Sequence, residues 1–212
     1  MGAHQIKGSA SRRLYDLSAP FYDVLLGKTE ESRFALWRKL LWSKVAGRRI
    51  LEVGVGTGLS FAHYPPGAEI VAIDFSRNML RRAQARAMRD HVKVDLRLMD
   101  VEDMTFGDSS FDAAVSSLVF CAVPHPQAGL EEIRRVIRPG GQLVMLEHVL
   151  SDNKWLSPWM RLFGSPLGVL TGEHIDRRTA ESVKASGFDL ESVARLTSIF
   201  RLIEARKRQV YV

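Results

Sequence analysis

Arg49-Ile50-Leu51-Glu52-Val53-Gly54-Val55-Gly56-Thr57-Gly58 runs an apolar stretch directly into three alternating glycines. Arg49–Val53 predicts a strand, and the glycines predict a sharp turn at its end. Glycine is needed where backbone bends tightly or approaches a ligand too closely for a Cβ. Such strand-to-helix turns serve dinucleotide and nucleoside sites alike. Spacing separates the two. The dinucleotide fingerprint needs a third Gly or Ala five positions after the first, but that position is Leu59, and Gly58 comes one residue early. The loop therefore points away from a pyrophosphate cradle, with a purely structural tight turn as the alternative.

The flanking sequence repeats one pattern. Glu69–Ile73 is a second apolar strand, ending at Asp74. Ser76 is placed to cap a helix over Asn78–Arg89, where Met79, Leu80, Ala83 and Ala87 recur at helical spacing. Val94–Met99 is a third strand, ending at Asp100, and Phe111–Ser116 begins a fourth. Ala128–Ile137 is a helix stopped by Arg138-Pro139-Gly140-Gly141, and Gln142–Glu147 is a fifth strand. Alternating strands and helices, with nearly continuous apolar strands, predict an α/β fold: a parallel sheet with helices on both faces. The tail reads as two strands, Asp189–Thr197 and Phe200–Lys207, forming a C-terminal antiparallel hairpin on the sheet edge. Two segments fall outside this core, a helix over 30–46 and an insertion over 152–172. They hold all four tryptophans, Trp37, Trp42, Trp155 and Trp159.

At 212 residues, 46% hydrophobic and 25% charged, the chain has the composition of one folded domain. We expect a single domain over 1–212, with 1–46 as an N-terminal helical cap and basic arm and 152–172 as a lid-like insertion. The lone Cys121 excludes an internal disulfide and suits a cytoplasmic chain. No apolar run approaches the roughly 20 residues that span a bilayer. Residues 1–49 carry 10 Lys/Arg against 4 Asp/Glu, whereas 50–212 carry 20 of each. All the basic excess thus sits in the first quarter. That distribution argues against a dedicated nucleic-acid binder and leaves a basic arm available to an anionic surface. No Cys/His cluster has metal-ligand spacing, so no metal is expected.

Ligands of open α/β sheets bind beyond the carboxyl ends of the strands. The glycine loop, Asp74 and Asp100 all fall there. A carboxylate at the second strand end can accept both hydroxyls of a ribose, and one at the third can accept from an adenine amino group. With ILEVGVGTG (50–58), VAIDFS (71–76), LMDVEDMTFGDSSFD (98–112) and RRVIRPGGQLVMLEH (134–148), the chain resembles the class I S-adenosylmethionine-dependent methyltransferases. The resemblance implies a Rossmann-like, seven-stranded, mostly parallel sheet and S-adenosyl-L-methionine as cofactor. It places Glu52, Gly54, Gly56, Thr57 and Gly58 around the amino-acid part of the cofactor and Asp74 on the ribose. Phe75, Ser76 and Met79 are further expected cofactor-binding residues, with Asp100 and Val101 at the adenine and Ser116 and Ser117 at the methionine end.

The acceptor is less legible. Ser116-Ser117-Leu118-Val119-Phe120 lacks the Asn/Asp-Pro-Pro-aromatic motif of enzymes that methylate nucleobase amines. Tyr15, Tyr22-Asp23, FCAVPHP (120–126) and Glu147-His148 resemble a subgroup with bacterial phosphatidylethanolamine N-methyltransferases, quinone-biosynthesis methyltransferases and thiol methyltransferases. The first expectation is N-methylation of phosphatidylethanolamine. C-methylation of a prenylquinone precursor or S-methylation of a small thiol are the alternatives, and a non-catalytic cofactor-binding or membrane-docking module is the rival of another class. His148 is the candidate base because an imidazole titrates near neutrality, and Tyr15 and Tyr22 are candidates to fold over the cofactor. Phe34, Trp37 and Leu41, interleaved with Arg33, Arg38, Lys39 and Lys44, have the pattern of an interfacial helix. With 152–163, they predict peripheral binding to the inner face of an anionic membrane. Packing on the domain's own core is the alternative for the same stripe.

Overall fold

The computed structural model describes residues 33–149 and 178–209. Strands β1 (Arg49–Val53), β2 (Glu69–Asp74), β3 (Asp95–Leu98), β4 (Phe111–Ser117), β5 (Ile137–His148), β6 (Phe188–Arg195) and β7 (Phe200–Lys207) form one sheet. Their order is β3-β2-β1-β4-β5-β7-β6. The first five are parallel, and β7 runs antiparallel between β5 and β6. The expected architecture is therefore present, with the hairpin's second strand innermost. Burial follows position in the sheet. Central β1 and β2 are apolar almost throughout because helices cover both their faces, while β3 and β6 at the edges alternate with polar residues.

Among the described residues, two helices cover each face. On one side Ile50, Ile70, Val115, Val144 and Leu146 pack against Leu41 and Trp42 of α1 (Ala35–Ser43). Ala72, two residues beyond Ile70 and so on the same face, meets Ala83 and Ala87 of α2 (Arg77–Arg89). On the other side Leu51, Val71, Ile73, Leu143 and Met145 pack against Leu130, Ile133 and Val136 of α3 (Pro126–Val136) and Val183 of α4 (Thr179–Ala185). The α2 cap forms as expected: the Ser76 hydroxyl accepts from the Met79 N–H, a contact typically worth about 1 kcal/mol.

Some boundaries differ from expectation, for identifiable reasons. Helix α1 ends at Ser43, three residues short of the expected 46. Buried Gln142 of β5 ends it, its amide donating to the Lys44 carbonyl and its carbonyl accepting from Ala46 N–H. Strand β5 begins at Ile137, before the Pro-Gly-Gly turn, not after it. Ile137 pairs with Phe111 and Gln142 with Ala113, so the turn is carried as a bulge within the strand. Helix α4 and a short 3₁₀ turn at Phe61–His63 had no clear periodic signal. Tyr15, Tyr22, Trp155 and Trp159, the arm before Arg33 and the insertion at 152–172 lie outside the described residues. Among the described residues, no helix is long and apolar enough to cross a membrane.

Candidate functional site

The chain steps outward from β1 to β2 and β3, then returns to place β4 on the other side of β1. This reversal makes a crevice at the carboxyl ends of β1 and β4, where open α/β sheets take their ligands. Parallel register aligns Val53 with Ile73 and Ser116, and Asp74 with Leu98. The glycine loop, Asp74 and Asp100 thus reach one end of the sheet on neighbouring strands.

The loop is shaped by its neighbours. Gly54 and Val55 N–H groups both donate to the Ile73 carbonyl, at 2.8 and 3.0 Å. Gly54 has φ +68°, and a Cβ there would lie 2.3 Å from Val119 Cγ2, so only glycine fits. Gly56 has φ +56°, and a Cβ on it would meet no atom within 4 Å, so this glycine borders open space. Its N–H donates to Asp74 Oδ2 at 2.8 Å, while Ser76 N–H donates to Asp74 Oδ1 at 2.9 Å. Two backbone donors therefore orient the nearly buried Asp74 carboxylate, and a carboxylate has further lone pairs for ligand hydroxyls.

A cavity of about 410 Å³ opens beside it, within the size range of small-molecule sites. Asp74, Asp100 and Glu102 supply its acids; Ile73, Met99, Val101 and Val123 supply apolar wall. A smaller compartment of about 50 Å³ shares Gly54, Asp74 and Phe75 with the first and adds Gly56, Met79, Ser117 and Leu118. The Ser117 hydroxyl oxygen is buried there with no hydrogen-bond partner. Leu118 beside it has φ +59°, an uncommon conformation for a branched side chain. Glu147 holds this exit from β4. It is fully buried, accepts from the Ser116 hydroxyl at 2.9 Å and accepts from Phe120 N–H at 3.2 Å.

Gly54, Gly56, Asp74, Phe75, Met79, Asp100, Val101 and Ser117 therefore line one or both compartments. Glu52, Thr57, Gly58, Ser76 and Ser116 line neither. The Thr57 carbonyl accepts from the Arg86 guanidinium, which ties α2 to the loop. Gly58 lies against the Phe61 ring. Glu52 is buried on the α1 side of the sheet, where it accepts a hydrogen bond from the Tyr64 hydroxyl. Burial pushes its carboxyl up to about 7, against opposing hydrogen bonds from Tyr64 and Ser60 and the attraction of Arg38. The same burial, with Glu52 beside it, raises Tyr64 well above the usual phenol range.

The candidate base lies elsewhere on the strand ends. His148 is half-buried at the end of β5, with its ring edge-on to Phe200 at 5.2 Å. Phe200 continues into Trp37 and Phe34, with ring centroids 5.1 and 5.5 Å away. By strand alternation His148 shares a face with Val144 and Leu146, the side covered by α1. It lines neither compartment. Val119, Ala122, Val123, Pro124 and His125 also wall the larger cavity, although none of them was among the expected cofactor residues. The run of small apolar residues and prolines after β4, FCAVPHP (120–126), was the available signal. The Tyr64 partnership with Glu52 had none.

Comparison with known proteins bears on this crevice. A methyltransferase-domain family matches residues 51–145. A phosphatidylethanolamine N-methyltransferase of Cereibacter sphaeroides is 36% identical over 166 residues, 76% of this chain and 80% of that enzyme. The chain belongs to the class I S-adenosylmethionine-dependent methyltransferases. A demethylmenaquinone methyltransferase of Renibacterium salmoninarum is 36% identical over 63% of this chain and 56% of its own. A human thiol S-methyltransferase is 36% identical over 68% and 64%. Among solved structures, the [4+2]-cyclase SpnF superposes with a TM-score of 0.76 at 19% identity, covering 94% of this chain and 95% of its own. A Haemonchus contortus phosphoethanolamine N-methyltransferase gives 0.75 at 17% identity, over 95% of this chain and 61% of its own. These two likenesses establish the fold; a cyclase among them illustrates that the fold alone does not set the chemistry.

The methyltransferase's cofactor is S-adenosylmethionine, and the residues present fit it. Asp74 and Asp100 offer acceptors to hydroxyl and amino donors, the apolar wall suits a planar base, and Gly56 leaves open space where a side chain would intrude. The unpartnered Ser117 hydroxyl is the kind of buried polar group a ligand completes.

Proposed function

We propose that this methyltransferase methylates the amine of an ethanolamine phospholipid. What supports the reading is the aromatic group Phe34, Trp37 and Phe200, whose Phe200 ring meets His148 at the end of β5, two strands from β1. An apolar, aromatic end suits an amphiphile, and the imidazole suits its headgroup. The similarity to the Cereibacter enzyme over four-fifths of that protein supports the same choice.

When bound, the cofactor supplies a methyl group already activated by its sulfonium centre. The chain's task is to hold the nucleophile in line with it and to exclude water. Asp74 takes the ribose, Asp100 and Val101 the adenine end, and the Ser117 hydroxyl with the Gly54–Gly56 turn the amino-acid end. An ethanolamine amine is mostly protonated at neutral pH, so it must lose that proton before its lone pair can attack. His148 accepts it, since imidazole is basic enough near neutrality. Tyr15 and Tyr22, outside the described residues, are assigned to covering the cofactor and orienting the acceptor. The enzyme works from the cytoplasmic side, held peripherally to the inner face of the membrane through the basic segment 30–46 and the Trp-rich 152–163.

The quinone and thiol methyltransferases among the relatives make C- and S-methylation the competing acceptor classes. A panel with methyl-labelled cofactor separates them. The three acceptors are vesicles containing phosphatidylethanolamine, a demethylated prenylquinol in the same vesicles, and a small alkyl thiol. Label is expected in the ethanolamine lipid, and His148→Gln is expected to lower the rate most from neutral pH up to the amine's own pKa, where the imidazole is free to accept a proton and the amine still carries one. Transfer to quinol or thiol with none to lipid would overturn the proposal.

A further inference from the structure

The two helical layers differ in charge. On the far side of the sheet, α3 balances Glu131 and Glu132 against Arg134 and Arg135, and α4 balances Glu181 against Lys184. The near layer has no such balance. Helix α2 reads RNMLRRAQARAMR and α1 reads ALWRKLLWS, seven cations without one acid. Some of these cations have internal duties. Arg38 is buried, Arg86 binds the glycine loop and Arg89 pairs with Asp90. Arg77, Arg81 and Arg82 have no acidic side chain within bridging distance among the described residues. Arg77 and Arg81 are exposed and Arg82 half so.

Apolar side chains are exposed in the same layer. Met88 on α2 is 69% exposed, and Leu36 and Leu40 on α1 are 64% and 38% exposed. Of the large hydrophobic side chains exposed among the described residues, only Val193 lies elsewhere, on β6. Unpaired arginines interleaved with protruding aliphatic side chains are how a helix binds an anionic bilayer, with cations at the headgroups and apolar tips among the acyl chains. A nucleic-acid surface would use the cations and leave the aliphatic groups in water.

We infer that the α1/α2 layer is the docking face for an anionic phospholipid bilayer, with Arg77, Arg81 and Arg82 of α2 as its principal electrostatic contacts. This extends the membrane contact beyond the N-terminal quarter that carries the chain's net charge. It also sets the orientation of the molecule: the sheet face carrying His148 and the Phe34–Trp37–Phe200 group turns toward the lipid. The orientation rests on the lipid-acceptor reading, whereas the docking itself does not.

The test is flotation of the full chain with phosphatidylcholine vesicles, with and without phosphatidylglycerol. Arg77→Gln/Arg81→Gln/Arg82→Gln is compared with Arg178→Gln/Lys184→Gln/Arg195→Gln, which removes the same charge from other surfaces. Calorimetric binding of S-adenosylhomocysteine reports that both variants are folded. Each cation near an anionic surface contributes roughly fivefold in partitioning, so the α2 variant should lose on the order of a hundredfold on anionic vesicles. The control variant should lose little, and neutral vesicles should bind weakly throughout. Equal losses in the two variants, or none in the α2 variant, would overturn the inference. So would an α2 variant that floats normally but no longer binds a single-stranded oligonucleotide. A loss of vesicle binding confined to the α2 variant supports the docking face even if ethanolamine lipid proves not to be the acceptor.

Discussion

Replacing Glu52 by Gln tests a buried carboxyl that burial displaces upward. The carboxyl is 2% exposed and pushed up to about 7 from an ordinary 4.5. The native state therefore holds a proton there that the unfolded chain releases from about pH 4.5 upward. Across that interval the unfolded state binds fewer protons, so stability falls as pH rises, and above about 7 the loss is complete. A rise of about 2.5 units at about 1.4 kcal/mol each makes the loss about 3 kcal/mol. Gln keeps the shape and a carbonyl acceptor for the Tyr64 hydroxyl without the ionisation. The wild-type protein should match Glu52→Gln near pH 4 and fall below it near pH 8 by about 3 kcal/mol, roughly 6–12 °C in midpoint for a chain of this size. Urea unfolding of both proteins at the two pH values measures it, and the difference between proteins cancels every other titrating group. A gap that stays constant would show that Glu52 does not change protonation on folding. A gap of opposite sign would show that Arg38 and Tyr64 stabilise the carboxylate more than burial penalises it.

Asp74→Ala should weaken S-adenosylhomocysteine binding by roughly 10- to 150-fold in calorimetry, the scale of a lost charge-assisted hydrogen bond, and unchanged affinity would remove Asp74 from the ribose. Ser117→Ala should leave unfolding stability within about 0.5 kcal/mol, since the hydroxyl has no protein partner to lose, yet reduce cofactor affinity severalfold. If stability drops and affinity does not, the hydroxyl has a structural role.

The central sheet and the residues that gather at its crevice were readable in one dimension because both depend on local rules. Fully buried parallel strands must be apolar along their length, so RILEV and EIVAID announced themselves. Positive φ beside a ligand demands glycine, and a helix N-terminus invites a serine, so Gly54, Gly56 and Ser76 marked the turn and the α2 cap. Strand ends in a parallel sheet align, which brought Asp74 and Asp100 to one crevice.

Contacts between distant segments were decided only in three dimensions. Gln142 ends α1 across 98 residues of chain, and no local pattern encodes that stop. Glu52, read as part of the cofactor loop, turns to the opposite side of the strand and meets Tyr64, because side chains alternate along β1 and its neighbours bury that face. Ser116 is drawn to Glu147 while the Ser117 hydroxyl, one residue on and pointing the other way, lines the crevice without a protein partner. The sequence determined the class of fold and the cofactor because backbone geometry restricts which residues can stand at a turn or in a strand. The tertiary structure decided which side chains line the crevice and which hold the frame, because that depends on what packs against each face.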